Sequence, residues 1–193
     1  MRDPDFTGVF RPRAAIVSAL FGTMWLLAWW YQAHRASLAV LLGILGSAML
    51  VMGAALFQLR RFRRAELAAP PGYRRSRLRL YAMVNAIYWP ILFIAVAAIG
   101  ASGHARWINP AIILLVGLHL FPLGLIFRDR LLHLAGVLLV ALAVCYPAVA
   151  DPGSPLGLLG AGAILLATGA AAVVINTPCG PAPLIGAGNR DAA

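Results

Sequence analysis

The sequence has few charged residues, and acidic residues are the scarcest of them. Charged residues make up 11% of the chain, and the six acidic residues all fall outside its long apolar runs: Asp3, Asp5, Glu66, Asp129, Asp151 and Asp191. A proton or sodium relay within a membrane depends on a carboxylate at membrane depth, and a di-acid protease needs two. The distribution of carboxylates therefore disfavours both classes of protein.

Cysteine is scarcer still. Cys145 and Cys179 are the two cysteines, and neither has a Cys-x-x-Cys partner or a histidine at ligand spacing. This arrangement carries no metal or redox motif, so packing is the default role for Cys145. Because a predicted helix separates the two, we expect them on opposite sides of a membrane, without a disulfide between them.

Motifs for common catalytic chemistry are also missing. The chain lacks His-Glu-x-x-His, Gly-x-Ser-x-Gly, a P-loop and a dinucleotide-binding fingerprint. A haem held by two histidines across the membrane also fits poorly, because only His119 is expected to lie deep. We therefore predict no catalytic residue, no metal site and no cofactor, and an intramembrane enzyme acting on lipid is the third choice of function.

Long apolar runs are what the sequence does contain. Hydrophobic residues make up 62% of the 193 residues, and the mean hydropathy of +0.84 exceeds what a soluble core of this size needs. Each run is close to the ~20 residues with which a helix crosses a ~30 Å hydrocarbon core. The prediction is an all-α polytopic integral membrane protein, a bundle of six transmembrane helices in one domain over 1–176, at about 14–33, 38–59, 80–101, 109–127, 131–150 and 156–176. The tail 177–193 is predicted to be a disordered cytoplasmic segment.

The distribution of arginine predicts the orientation of this bundle. All 16 basic residues are arginine, and only Arg35 and Arg106 fall in the segments that an N-in, C-in arrangement places outside. Basic residues accumulate in cytoplasmic loops of membrane proteins. The sequence therefore predicts a multi-pass protein of a bacterial inner membrane with both termini in the cytoplasm. The same rule explains the net charge of +10 without a nucleic-acid partner.

The longest predicted loop, 60–79, is strongly basic. Its two arginine clusters flank Pro70-Pro71-Gly72. Arginine near the inner leaflet attracts anionic lipid by roughly 1 kcal/mol per residue, although a loop that only fixes topology would have the same composition. The membrane lipids are thus the predicted partners, through contacts of anionic head groups with Arg60, Arg61, Arg63, Arg64, Arg74, Arg75, Arg77 and Arg79.

Small residues are concentrated in the second and sixth predicted helices. The second contains Gly43, Gly46 and Gly53, and the sixth carries an alanine ladder together with several glycines. Small residues allow membrane helices to approach closely. We expect the sixth helix to pack inside the bundle, but such spacing does not distinguish contacts within one chain from a homo-oligomer or a partner membrane protein.

Polar residues at membrane depth lie on the third and fourth predicted helices. Tyr81, Asn85 and Tyr88 share one face of the third helix, and the fourth carries His119 near Pro122. Helices joined by a short loop are usually neighbours, so we predict a polar cluster of Asn85, Tyr88 and His119. A tyrosine hydroxyl or asparagine amide would satisfy the imidazole. The cluster would either only hold the third and fourth helices together through polar contacts or form a binding site.

The same two helices carry a family resemblance. The stretch Val116-Gly-Leu-His119-Leu-Phe-Pro122-Leu, with Ile126-Phe-Arg128 after it and Asn85-Ala-Ile-Tyr-Trp-Pro90 before it, resembles a family of small multi-spanning bacterial proteins known as a domain of unknown function. The resemblance covers roughly residues 80–145 and implies a membrane fold, but no catalytic residues. The predicted function is a small-solute binding or transport-like bundle; the alternative is a structural or accessory subunit of a membrane complex.

Overall fold

The described chain is all-helical apart from its turns. The computed structural model describes residues 7–33, 37–67 and 71–175. Within these ranges, six α-helices are long and apolar enough to cross a membrane, which confirms the prediction of six apolar helices. The helices are α1 (Thr7–Gln32), α2 (Leu38–Leu67), α3 (Pro71–Ala101), α4 (Ile108–Phe127), α5 (Arg130–Val149) and α6 (Leu156–Ile175), with a 3₁₀ turn at Ala105–Trp107 before α4.

The basic segment between the second and third helices differs from the expected loop. Helix α2 continues to Leu67 and α3 already begins at Pro71. Arginine, alanine, glutamate and leucine are good helix formers, and proline is favoured in the first turn of a helix. All eight arginines predicted to contact head groups therefore lie on helical extensions. Of their side chains, those of Arg60 and Arg79 are described, and both are exposed. The predicted tail 177–193 and Cys179 lie outside the described residues.

The helices alternate in direction, which places six ends of their apolar parts together. Ala15 near the start of α1 packs with Ala55 of α2 and Ala172 of α6, and Leu131 at the start of α5 borders this cluster. The Tyr81 ring, near the start of the apolar part of α3, lies 5.9 Å from the Phe127 ring at the end of α4. This end also carries Arg13, Arg60, Arg79, Arg128 and Arg130, and we call it the arginine-rich end.

Small residues bring α1 and α6 into close contact. Gly162 lies against Gly22 and Leu26, and Gly169 lies against the backbone of Ala15 and Ala19. Small side chains permit this approach of backbones. The glycines of α6 are thus used for packing within the chain. By contrast, a Cβ added to Gly43, Gly46 or Gly53 of α2 would meet nothing within 4 Å.

A second close pair is formed by α4 and α5. Gly117 of α4 lies against Leu139 and Val140, and Gly136 of α5 lies against the carbonyl oxygen of Gly117. The turn between the helices uses Arg128 at a left-handed φ of 51° and Asp129, whose carboxylate accepts a hydrogen bond from the amide of Leu131 at 3.0 Å. Such caps end one helix and start the next. The pair forms a rigid back wall for the site described below.

Helix α3 is the least enclosed of the six. It packs on α4 and on the 3₁₀ turn, and it makes no comparable contact with α1. An opening therefore remains between α1 and α3, with α4 behind it. On the opposite side of the bundle, Cys145 of α5 is exposed and not disulfide-bonded. The expectation that Cys145 packs inside the bundle was wrong, because its position on α5 faces away from α4 and α6.

Candidate functional site

A cleft occupies the opening between α1, α3 and α4, and its volume is about 190 Å³. Each of the three helices presents one face to it, with lining residues three or four positions apart, as expected for neighbours along a helix face. Aromatic rings make up much of its wall. The lining residues are Val17, Ser18, Phe21, Tyr81, Asn85, Tyr88, Trp89, Val116, His119, Leu120, Leu123 and Leu165.

The rings of Tyr88 and His119 meet inside this cleft. Their centroids lie 3.9 Å apart with an interplanar angle of 22°, which is a stacked arrangement. The indole of Trp89 meets the Tyr88 ring edge to face at 5.6 Å. The expected hydrogen bond to the imidazole is replaced by this stacking: within the described ranges, neither the Tyr88 hydroxyl nor the His119 ring has a hydrogen-bond partner. Both side chains are half-buried.

Asn85 reaches the same cleft but turns its amide elsewhere. Its Nδ2 donates a hydrogen bond of 2.9 Å to the carbonyl oxygen of Tyr81, one turn earlier in α3. Such a bond to the residue's own helix fixes the side-chain rotamer. The structure thus places Asn85, Tyr88 and His119 on one cleft, with direct contact between Tyr88 and His119 only.

Residues of α1 complete the cleft, and the helix patterns and loop lengths of the sequence did not predict them. Ser18 is 6% exposed and lines the cleft together with Phe21. The cleft brings together residues of α1 and α4 that lie far apart in the chain, and loop lengths do not predict such an arrangement. The one feature of the sequence that indicated this part of the cleft was Ser18, a polar residue within an apolar run.

A second residue missed by sequence reasoning is Gln58 near the end of α2. It is 5% exposed, and its Nε2 donates a hydrogen bond of 2.8 Å to the carbonyl oxygen of Val173 in α6. Carbonyl groups in the last turn of a helix lack partners within that helix. The Gln58 amide supplies one, while its Oε1 is buried without a partner. This contact lies away from the cleft and ties α2 to α6.

A second cavity of about 250 Å³ adjoins the cleft on the arginine-rich side. It shares Val17, Ser18, Tyr81, Leu120 and Leu123 with the cleft, so the two cavities lie side by side, and we call them together the lateral groove. The other residues lining this second cavity are Arg13, Ala14, Leu78, Phe127 and Leu132.

The side chains of the lateral groove combine aromatic rings with a few polar groups. The polar groups that line it are one imidazole, two phenols, one indole N–H, a carboxamide, a hydroxyl and the guanidinium of Arg13. In the part of the chain that the structure describes, no group of three or more His, Cys, Asp or Glu side chains could hold a metal ion. The described groove can therefore donate and accept hydrogen bonds and stack on flat groups.

No family model, no curated protein and no solved structure matches the chain. The resemblance to a family of small multi-spanning bacterial proteins stays a prediction.

Proposed function

We propose that the protein is a multi-pass protein of a bacterial inner membrane that binds a small solute in its lateral groove, as a binding or transport-like bundle. Six apolar helices and the scarcity of charge along them support the membrane placement. The accumulation of arginine at one end of the helices supports a cytoplasmic location for that end and for both termini.

The stack of Tyr88 on His119 carries the proposal for a solute site. If these residues only held α3 to α4, their polar atoms would be expected to bond each other across the interface, as in interhelical hydrogen bonds generally. Instead the rings stack, and Asn85 bonds its own helix. The imidazole and the phenol hydroxyl thus keep their hydrogen-bonding capacity for a molecule in the cleft.

The dimensions and walls of the cleft indicate the class of solute. An engineered apolar cavity of 150 Å³ in another protein accepts benzene, and the cleft here measures about 190 Å³. Phe21, Tyr88 and Trp89 provide aromatic walls. A small molecule with a flat apolar body and one hydrogen-bonding group fits this combination, because stacking holds the body while His119 or Tyr88 bonds the polar group.

A pair of probes tests the proposal. Phenol and toluene differ mainly in the hydroxyl group, so purified protein should be stabilised against heat by phenol, saturably and at lower concentration than by toluene. The substitution His119→Leu should abolish the preference for phenol. His104→Leu is the matched control, since His104 is exposed and bonds to Ser102 in the turn before α4. Equal responses of wild type and His119→Leu would contradict the proposal.

A second function, that of an accessory subunit in a membrane complex, is favoured by α2. Its three glycines Gly43, Gly46 and Gly53 leave room at the surface of the bundle, and close approach of another membrane helix uses such positions. A fixed partner, or a second copy of the chain, that co-purifies with wild type and is lost with Gly46→Leu would support this function. Indifference of the same cellular role to His119→Leu would favour it over solute binding.

A further inference from the structure

The arginine-rich half of the lateral groove has an apolar lining, of which it shares Val17 and Leu123 with the solute cleft. Ala14 and Val17 line it from α1, Leu78 from α3, and Leu123 and Phe127 from α4. These residues lie on the edges of three candidate membrane spans, which begin at Pro12 and Leu78 and end at Phe127. This half of the groove therefore starts at one end of the apolar zone and leads inward.

The arginine-rich half of the groove is long enough for part of an acyl chain. Its lining on α4 runs from Leu120 to Phe127, which at a rise of 1.5 Å per residue is about 10 Å, a third of a ~30 Å hydrocarbon core. The groove opens sideways, because α3 makes no contact with α1 comparable to its contact with α4. An acyl chain could enter from the surrounding leaflet without crossing any polar surface.

The charge at the mouth of the groove is positive. Arg13 lines it directly, and Arg79 and Arg128 directly follow the lining residues Leu78 and Phe127. The acidic residue at this place, Asp129, is 3% exposed and its carboxylate accepts a hydrogen bond from the amide of Leu131. Among the side chains that the structure describes, the exposed charges around the mouth are thus guanidinium groups, which bind phosphate oxygens in a fork geometry.

We propose that the arginine-rich half of the lateral groove is a binding site for an acidic phospholipid of the adjacent leaflet. One acyl chain lies between α1 and α3 on the α4 side chains, and the head-group phosphate lies at Arg13. The inference rests on the membrane placement given above and adds a lipid to the described site: the bound acyl chain would close the lower end of the solute cleft, since both cavities share Ser18, Tyr81 and Leu120.

Native mass spectrometry tests the site directly. Purified protein in detergent is mixed with equal amounts of phosphatidylglycerol and phosphatidylcholine of identical acyl chains, and bound lipids are counted. Wild type should retain phosphatidylglycerol preferentially. Arg13→Gln should lower the ratio of the two lipids about fivefold, as expected for loss of one arginine near a lipid surface. The matched control is Arg130→Gln, which changes an exposed arginine at the same end that neither lines the groove nor belongs to the arginines predicted to contact head groups.

A second pair of variants tests whether an acyl chain occupies the groove. Val17 and Leu20 lie on α1 with exposed fractions of 47% and 46%, and of the two only Val17 lines the groove. Val17→Phe should reduce the amount of bound lipid, because the larger side chain fills the space, and Leu20→Phe should leave it unchanged. Both sites are exposed enough to accept a larger side chain without unfolding the bundle.

The proposal fails if wild type retains the two lipids equally, if Arg130→Gln lowers the lipid ratio as much as Arg13→Gln, or if Val17→Phe binds as much lipid as Leu20→Phe. The variant His119→Leu separates this inference from solute binding. It should lose the preference for phenol and keep the wild-type lipid ratio, so that either proposal can fail while the other stands.

Discussion

Gly22 of α1 and Gly162 of α6 face each other so closely that neither position has room for a side chain. A Cβ atom on Gly162 would lie 2.9 Å from the carbonyl oxygen of Gly22 and 2.6 Å from Cγ of Leu26. A Cβ atom on Gly22 would lie 2.7 Å from the backbone nitrogen of Leu166. The two helices therefore have to separate to accept even one methyl group.

We expect Gly162→Ala to lower the free energy of unfolding by about 1–3 kcal/mol, the usual effect of overpacking an interface. The matched control is Gly46→Ala, where the added Cβ meets nothing within 4 Å. It should leave stability unchanged or raise it by up to about 1 kcal/mol, because alanine is the better helix former. Thermal unfolding in detergent, followed by circular dichroism, measures both. Equal effects of the two substitutions would show that α1 and α6 do not pack as described.

The buried amide of Gln58 gives a prediction about charge. In Gln58→Glu, a carboxylate oxygen replaces the amide nitrogen that donates to the carbonyl oxygen of Val173. Two acceptors then face each other, and the buried carboxylate has no donor among the described residues. We expect a loss of more than about 3 kcal/mol of stability. Gln58→Met loses the hydrogen bond but also removes the unpaired Oε1, so it should cost at most about 1–2 kcal/mol. Gln32→Glu, at an exposed position on α1, should change stability by less than about 0.5 kcal/mol. A mild effect of Gln58→Glu in the same unfolding assay would refute the burial of this residue.

The stack of Tyr88 on His119 should appear as a coupling energy. A double-mutant cycle of Tyr88→Leu and His119→Leu is expected to give about 0.5–1.5 kcal/mol, the range for aromatic pairs. Tyr88→Phe keeps the ring and should keep the coupling. A parallel cycle of Phe93→Leu with His119→Leu serves as the control, since the Phe93 ring is 65% exposed and packs on Trp89 instead. Coupling that is the same in both cycles would argue against the stack.

The orientation of the protein is tested by reporter fusions. If the arginine-rich end faces the cytoplasm, fusions at residue 70 and after residue 193 should both report a cytoplasmic location, and fusions at Gly103 and Gly153 should report the other side. The physical reason is the retention of arginine-rich segments on the cytoplasmic side during insertion. A periplasmic signal at residue 70 would overturn the predicted topology.

Some of the candidate site followed from local patterns. Tyr81, Asn85 and Tyr88 share a face because an α-helix repeats every 3.6 residues, and α3 neighbours α4 because the connection between them is short. These two facts were enough to place Tyr88 near His119. They did not predict whether Tyr88 and His119 would stack or form a hydrogen bond. Nor did they predict that Asn85 would donate its amide to its own helix instead of to His119.

The helix repeat and the loop lengths did not predict the position of α1. Ser18 and Phe21 reach the cleft only because α1 packs against α6, which leaves its other face toward α4. That packing depends on the positions of Gly22, Gly162 and Gly169 along the two helices, because each of these glycines lies directly against the other helix. Glycine spacing alone was equally compatible with α2 as the closely packed helix, and α2 turned out to expose its glycines.

The number and type of the helices could be predicted from the amino-acid sequence, since apolar runs of about 20 residues with few charges can satisfy their backbone groups only as helices when they are removed from water. The sequence also confined polar chemistry to a few positions, His119 among them. Which helices touch became clear only from the folded structure. That choice depends on the fit of side-chain shapes between segments far apart in the chain, and in an apolar surrounding every helix face is about equally hydrophobic, so no periodic pattern marks the face that packs. The lateral groove between α1 and α3 is the direct result of that fit.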